Sequence, residues 1–281
     1  MELVLALDIG GTNTRAALVD RDYHIKGIEI RPTVRGDKEA FLDNIRKTVE
    51  MLGDDVKEVR AIAGGVPGRV RYDGYVYALP NVGVSEIPIA SYLEKTFDKP
   101  SYIINDAEAA VLGEANIGTW KSLSSVMFIT VSTGVGAALA RHGVLVSSSY
   151  EAGHTVLPYQ GKFYEFEHLC SGEGLKRLSA LNGLAIESAR DFFQLVKGKN
   201  ELALKVYHDW IGLFAKWFKM LNDTFAPEAF ALTGGVMKSE DIFIEDLRKA
   251  ASPARLEKCA LGQEAGLLGA AAYAWQKAEK R

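Results

Sequence analysis

The stretch that most limits what this chain can fold into is Leu5 to Asp20, LALDIGGTNTRAALVD. Two apolar, partly β-branched arms flank the turn Ile9-Gly10-Gly11-Thr12-Asn13, the pattern of a β-hairpin with both arms suited to burial. A carboxylate, Asp8, stands where the first arm ends. It shares its space with the Gly-Gly backbone, where amides without Cβ shielding approach an anion and hydroxyl or amide side chains add donors. From its own residues the stretch reads either as an ordinary glycine-rich hairpin or as a corner that holds phosphate and Mg²⁺.

With 281 residues the chain has room for two modest domains sharing a cleft, or for one large domain. Its net charge of −3 offers no basic surplus for a nucleic-acid partner. No apolar run reaches the roughly 18 residues of a membrane span, and MELVLALDIGG enters the hairpin with neither a basic leader nor a cleavage site, so a cytoplasmic protein without a membrane partner is expected. Cys170 and Cys259 are too few for a Cys-rich metal knuckle or a disulfide framework, and two reduced thiols are expected.

Periodicity places a third strand over Tyr23 to Ile30 and a helix over Asp37 to Leu52, with Phe41, Leu42, Ile45, Val49 and Leu52 on one face. A strand over Arg60 to Val66 runs into Gly64-Gly65-Val66-Pro67-Gly68, either a tight turn or the border of a ligand, followed by a strand pair around Arg69 to Tyr77 and Asn81 in a loop. After a helix over Pro88 to Phe97, the strand Ser101 to Ile104 delivers Asn105-Asp106 to a helix over Ala107 to Asn116. Asn and Asp are preferred helix caps, but a carboxylate at a strand's carboxyl end is also where open α/β sheets bind ligands and where a kinase base belongs.

The strand Ser125 to Val131, the turn Ser132-Thr133-Gly134-Val135-Gly136 and the arm Ala137 to Arg141 repeat the opening plan. The P-loop pattern and the dinucleotide fingerprint are both absent, so a nucleotide site here is of another kind. Tyr150 to Gly172 combines acids, histidines and aromatics in an expected loop or short hairpin. Glu151, His154 and Glu167 there suit a polyol, because a carboxylate accepts two hydroxyl hydrogens at once, or they belong to a solvated polar loop. Helices are expected over Glu173 to Leu181 and Glu187 to Val196, and over Glu201 to Phe225, where an aromatic stripe with Trp210 and Trp217 fits core or a subunit interface. Ala229 to Leu232 is a strand ending in Thr233-Gly234-Gly235-Val236, and Glu264 to Lys277 is the last clear helix.

Taken in order, the hairpin, GGVPG, IINDAEAAVLGEANIG, STGVGAALA, EAGH, an acid before SG, and LTGGV resemble the ROK family of sugar kinases, within the actin, hexokinase and heat-shock ATPase fold. The resemblance spans nearly the whole chain. It implies two α/β domains of the actin-like ATPase (ribonuclease H-like) type, with mixed sheets around a central cleft for ATP and a hexose. Residues 1–106 would form the small domain, completed by the helix of 263–281, and residues 107–262 the large one. By match to the family's motifs, Asp8, Gly10, Gly11, Thr12 and Asn13 resemble its first phosphate loop, with Asp8 acting on Mg²⁺ through water. Ser132, Thr133, Gly134 and Gly136 resemble the second, and Gly234, Gly235 and Val236 the adenosine-side turn. Asp106 matches the general base. Asn105, Glu151, His154 and Glu167 match sugar-hydroxyl contacts, with Gly65 and Asn81 at the same pocket. The family also implies a homodimer.

Two departures stand out. Family members usually carry a Cys-rich zinc knuckle between the E-x-G-H histidine and the next Glu, yet Pro158 to Phe166 contains no cysteine, so no structural zinc is expected. Packing of Tyr159, Phe163, Tyr164 and Phe166 is expected to hold the loop instead. Ser132 also replaces a common glycine, a strained choice if that backbone needs positive φ. Glucose is the first acceptor the resemblance implies, with N-acetylmannosamine, fructose and other hexoses open. A sugar-responsive repressor of the same fold would need a DNA-binding extension ahead of the hairpin, and a catalytically silent sugar-binding protein would keep the fold without turnover.

Overall fold

The computed structural model describes residues 2–146 and 151–280; Tyr150, the expected start of the acid- and aromatic-rich loop, lies outside them. The chain divides into two compact units, residues 1–121 with 261–281, and residues 122–260.

The first unit contains β1 (Val4–Ile9), β2 (Asn13–Val19), β3 (Ile25–Pro32), α1 (Lys38–Glu50), β4 (Ile62–Val66), β5 (Arg69–Val70), β6 (Val76–Leu79), β7 (Val84–Ile87), α2 (Ile89–Phe97), β8 (Ser101–Asn105) and α3 (Asp106–Asn116). Its main sheet has the order β3-β2-β1-β4-β8, antiparallel across the first three strands and parallel from β1 onward. Strand period two decides the layering. Leu5, Leu7 and Ile9 join Phe41, Leu42, Ile45 and Val49 of α1 in one core, while Val4 and Ala6 pack on the other face with Leu267, Ala270, Ala271, Ala274 and Trp275 of the last helix. The third strand starts at Ile25 and not at Tyr23, because Tyr23 has a left-handed backbone (φ 63°) in the turn that precedes it.

The second unit holds β9 (Ser125–Val131), β10 (Val135–Arg141), β11 (Val144–Val146), β12 (Val156–Tyr159), β13 (Lys162–Glu165), α4 (Phe166–Cys170), α5 (Gly172–Leu181), α6 (Ala189–Lys197), α7 (Glu201–Phe225), β14 (Ala229–Thr233), α8 (Glu240–Ala251) and β15 (Arg255–Lys258). The chain then ends in α9 (Ala265–Ala278) of the first unit. The sheet β11-β10-β9-β14-β15 repeats the first unit's plan: an antiparallel hairpin, then parallel neighbours.

The boundary differs from the expected 106/107. Gly113 of α3 lies against Ala265 and Gly269 of α9 against Ala109, so closely that side chains at either glycine would collide with the facing backbone. This close helix pair ties α3 to the first unit. The aromatic stripe of α7 proves to be core: Trp210, Phe214, Trp217 and Phe218 are fully buried within the second unit, so that stripe is not a subunit surface. Cys170 and Cys259 are both buried and are not joined in a disulfide. No helix among the described residues is long and apolar enough to cross a membrane.

Candidate active site

In the first unit the sheet register brings the sequence candidates together. Asp8 pairs with Gly65, and Val66, next along β4, pairs with Asn105, so Asp8, Gly65 and Asn105-Asp106 lie at the carboxyl ends of three adjacent parallel strands. That is where open α/β sheets bind ligands. The turn Gly10 to Asn13 closes with Gly10 N–H donating to the Asn13 carbonyl at 2.9 Å. It is gripped from outside: Thr33 Oγ1 donates to the Gly10 carbonyl (2.7 Å) and Arg35 Nε to the Gly11 carbonyl (2.9 Å). Asn81 sits over Gly11, where a Cβ would come within 3.2 Å of its own. Neither Thr33 nor Arg35 carries a motif that would have marked it.

Asp8 faces Arg15, its register partner across the hairpin, at 3.5 Å; Arg15 also binds Glu264 Oε1 at 2.6 Å and the Gln263 carbonyl at 2.8 Å. Burial holds the Asp8 carboxyl above the usual range despite Arg15, and the charge of Glu264 adds to the rise. Period-two pairing alone identifies Arg15 once the hairpin register is known.

Asn105 and Asp106 divide the two roles open to them. Asn105 is the N-cap of α3: its Oδ1 accepts from Ala107 N–H (2.9 Å), and Glu108 Oε2 accepts from Asn105 N–H (3.0 Å), a complete capping box. Its Nδ2 donates to the Gly68 carbonyl at 3.0 Å, so the amide ties the GGVPG turn to the helix start. Asp106, the first helical residue, is exposed, with Oδ1 accepting from Ala107 N–H at 2.8 Å.

In the second unit β9 and β14 run parallel, with Thr233 paired to Thr130, and deliver the turns at 132–134 and 234–236 side by side. Gly234 is obligatory: its φ is 112°, and a Cβ there would run into the Val131 carbonyl. Ser132 has no positive φ, so the expected strain is absent; its N–H donates to the Gly134 carbonyl (2.9 Å) and its carbonyl accepts from Gly172 N–H (2.7 Å). Gly136 lies inside β10 opposite Thr130, beyond the turn. Ser132, Thr133, Gly235 and Val236 line a cavity of about 270 Å³ together with Gly172, Glu173 and Lys176 of α5 and Ser188-Ala189 at the start of α6.

The loop after Glu151 is a built structure. Glu151 is exposed and precedes the short helical turn Ala152–His154. β12 and β13 then form a hairpin whose two turn residues, Gln160 (φ 47°) and Gly161 (φ 74°), both have positive φ, which matches the right-handed strand twist. Glu167 Oε2 accepts from Val135 N–H at 3.1 Å, and its Oε1 is 3.9 Å from His154 Nδ1. His154 Nδ1 is bonded to Glu165 at 2.9 Å. That bond, with further help from Glu167 and Glu151, raises the His154 pKa above its ordinary value against the opposing effect of burial.

The aromatic brace differs from expectation in one member. Phe166 is buried and stacked on Trp217 (centroids 4.1 Å, planes 8° apart), Tyr159 Oη donates to Asp209 (2.7 Å), and Tyr164 packs on the core. Phe163 points to solvent, 77% exposed, because the alternation that turns Tyr164 inward turns its neighbour outward. Trp217, read only as part of an apolar stripe, is the missing member: its Nε1–H donates to the Ala152 carbonyl at 3.0 Å.

Two mixed sheets of one plan, each opening on a glycine-turn hairpin with acids or hydroxyls at the ends of its parallel strands, define the actin-like ATPase fold. Within it, the chain belongs to the ROK family, whose pattern it matches over residues 4–277. It is 25% identical to a glucokinase of Halalkalibacterium halodurans, over 94% of this chain and 92% of that protein. It is 29% identical to an N-acetylmannosamine kinase of Escherichia fergusonii, over 96% and 97%. Its structure is similar to that of the ROK hexokinase from Thermus thermophilus, with a TM-score of 0.85 and 26% identity over 99% of this chain and all of the other.

Proposed function

We propose that this chain is an ATP-dependent hexose kinase that transfers the γ-phosphoryl group to a sugar primary hydroxyl, glucose being the first acceptor to test and N-acetylmannosamine the second. The observation that carries this reading is Asp106, an exposed carboxylate at the end of β8, in a family whose relatives include glucokinase and N-acetylmannosamine kinase. Asp106 accepts the proton of the attacking hydroxyl. Glu151, His154 and Glu167 orient the sugar through charge-assisted hydrogen bonds. Backbone amides of the 10–13 and 132–134 turns, with Thr12, Asn13 and Thr133, take the phosphates, and the Gly234 to Val236 turn borders the adenosine. Asp8 is the residue that would hold Mg²⁺: a part-buried carboxylate crowded by Glu264 is relieved by a cation. When bound, that ion neutralises charge on the transferring phosphates.

The test is ADP release from Mg-ATP across a panel of hexoses, run beside Asp106→Asn. One hexose should stimulate turnover, and the variant should lose about 10²–10⁴-fold in kcat while still binding the sugar. Hexose binding by the parent without ADP release would overturn the catalytic reading.

A further inference from the structure

We propose that Glu165 is a positioning residue for the sugar site: one oxygen of its carboxylate, shared between His154 and His168, fixes the His154 ring so that its far nitrogen meets a sugar hydroxyl. This rests on the reading of the chain as a sugar kinase.

The geometry is set by short-range structure. The two-residue turn at Gln160-Gly161 fixes the β12–β13 register, pairing Val156 with Glu165, and Phe166 N–H donates to the Thr155 carbonyl at 2.7 Å, so the strand end returns beside His154. Glu165 Oε2 lies 2.9 Å from His154 Nδ1 and 3.3 Å from Nε2 of His168, one helical turn further along α4. Two acids are within reach of His154 Nδ1, but Glu167 stands off at 3.9 Å with its other oxygen on Val135 N–H. Of these two, only Glu165 is at hydrogen-bonding distance. A carboxylate can only accept, so the Nδ1 proton stays on the Glu165 side and Nε2 is left for a ligand. Trp217 keeps the frame still, since it stacks on Phe166 and binds the Ala152 carbonyl.

The charge state of Nε2 follows from what faces the ring. Glu151 from the preceding turn, Glu165 from β13 and Glu167 from α4 all favour the imidazolium; His168 from α4 opposes it when protonated. The imidazolium donates from Nε2 to a sugar oxygen. Sugar recognition therefore weakens as pH rises through the elevated pKa of His154.

The experiment uses Glu165→Gln in the full chain, which keeps the acceptor's shape and removes its charge. The hexose KM should rise about tenfold, the worth of one lost charge-assisted contact, with kcat and the ATP KM within about twofold. The alkaline limb of hexose kcat/KM should move to lower pH, and the His154 ring proton followed by NMR should titrate lower by the same amount. His168→Gln, which removes one of the two groups that hold the Glu165 oxygen, should raise the hexose KM to a smaller degree but move the alkaline limb slightly to higher pH, because it takes away a cation that opposes the imidazolium. An unmoved pH limb overturns the proposal, as does an equal rise in the hexose and ATP KM values, which would report general loosening. Stoichiometric zinc in untagged parent protein overturns it too. If the parent binds hexose without turnover, the kinase reading fails separately, and the NMR titration with calorimetric hexose affinity still judges Glu165.

Discussion

Replacing Trp217 by Phe separates the fold of the second unit from the sugar loop it carries. Trp217 is fully buried, lies flat on Phe166, and donates to the Ala152 carbonyl at 3.0 Å. Phe keeps one ring for the stack but removes the indole nitrogen and two carbons. The carbonyl is not orphaned, because Thr155 Oγ1 also donates to it at 2.8 Å. The polar loss is therefore the net value of one hydrogen bond, about 1 kcal/mol, and not the larger cost of a buried unpaired acceptor. The two lost carbons add about 1.6 kcal/mol of burial, for a total of about 2.5 kcal/mol. At about 2–4 °C per kcal/mol for a domain of this size, Tm by calorimetry should fall by roughly 5–10 °C. Because Ala152 stands between Glu151 and His154, the hexose KM should also rise several-fold while the ATP KM stays. A Tm within about 1 °C of the parent, together with an unchanged hexose KM, would refute Trp217 as the brace of this loop.

Asp8→Asn should bind Mg-ATP far more weakly in calorimetry, yet melt higher than the parent at pH 7. Burial first, and then Glu264, place the folded pKa of Asp8 above its unfolded value, so its charge costs stability at neutral pH. That penalty fades as pH falls through the folded and then the unfolded pKa, and the melting difference should close in acid. Gly234→Ala puts a Cβ into the Val131 carbonyl at φ 112°. It should cost about 1–3 kcal/mol in urea denaturation and raise the ATP KM while the hexose KM is unmoved.

What the chain discloses before folding follows the strength of its local signals. The 5–20 hairpin and the 125–141 hairpin are legible because buried arms and glycine turns coincide, and Asn105-Asp106 because a cap must follow a strand. Helix α8 and strand β15 left no such mark: Ser239 makes no side-chain cap bond to α8, and the edge strand Arg255–Lys258 alternates one buried leucine with charges. Within the candidate site, the residues proposed to act directly are visible by type. Those that hold them in place are not, because Arg15, Thr33, Trp217 and Glu165 become significant only through register and tertiary contact. Phe163 shows the converse error, in which composition promised packing and the two-residue alternation denied it.

The two units share a sheet plan but differ in what the parallel strands carry at their ends, and that difference sorts the proposed chemistry. In the first unit the ends bear acids, Asp8 and Asp106, suited to a cation and a proton. In the second they bear hydroxyls and glycine, Ser132, Thr133 and Gly234, suited to amides and phosphate oxygens, while the acids proposed to face the sugar come from the 151–167 segment, Glu167 meeting the 132–135 turn through Val135 N–H. Each group of residues rests on different supports: the capping box of Asn105, the Gly234 turn, and the Trp217 and Glu165 braces. Kinetic effects should therefore separate. Asp106→Asn should act on kcat, Gly234→Ala on the ATP KM, and Glu165→Gln on the hexose KM with its pH limb. If instead all three substitutions moved every parameter together, the supports would be one cooperative network, and the assignment of separate tasks to separate strand ends would be wrong.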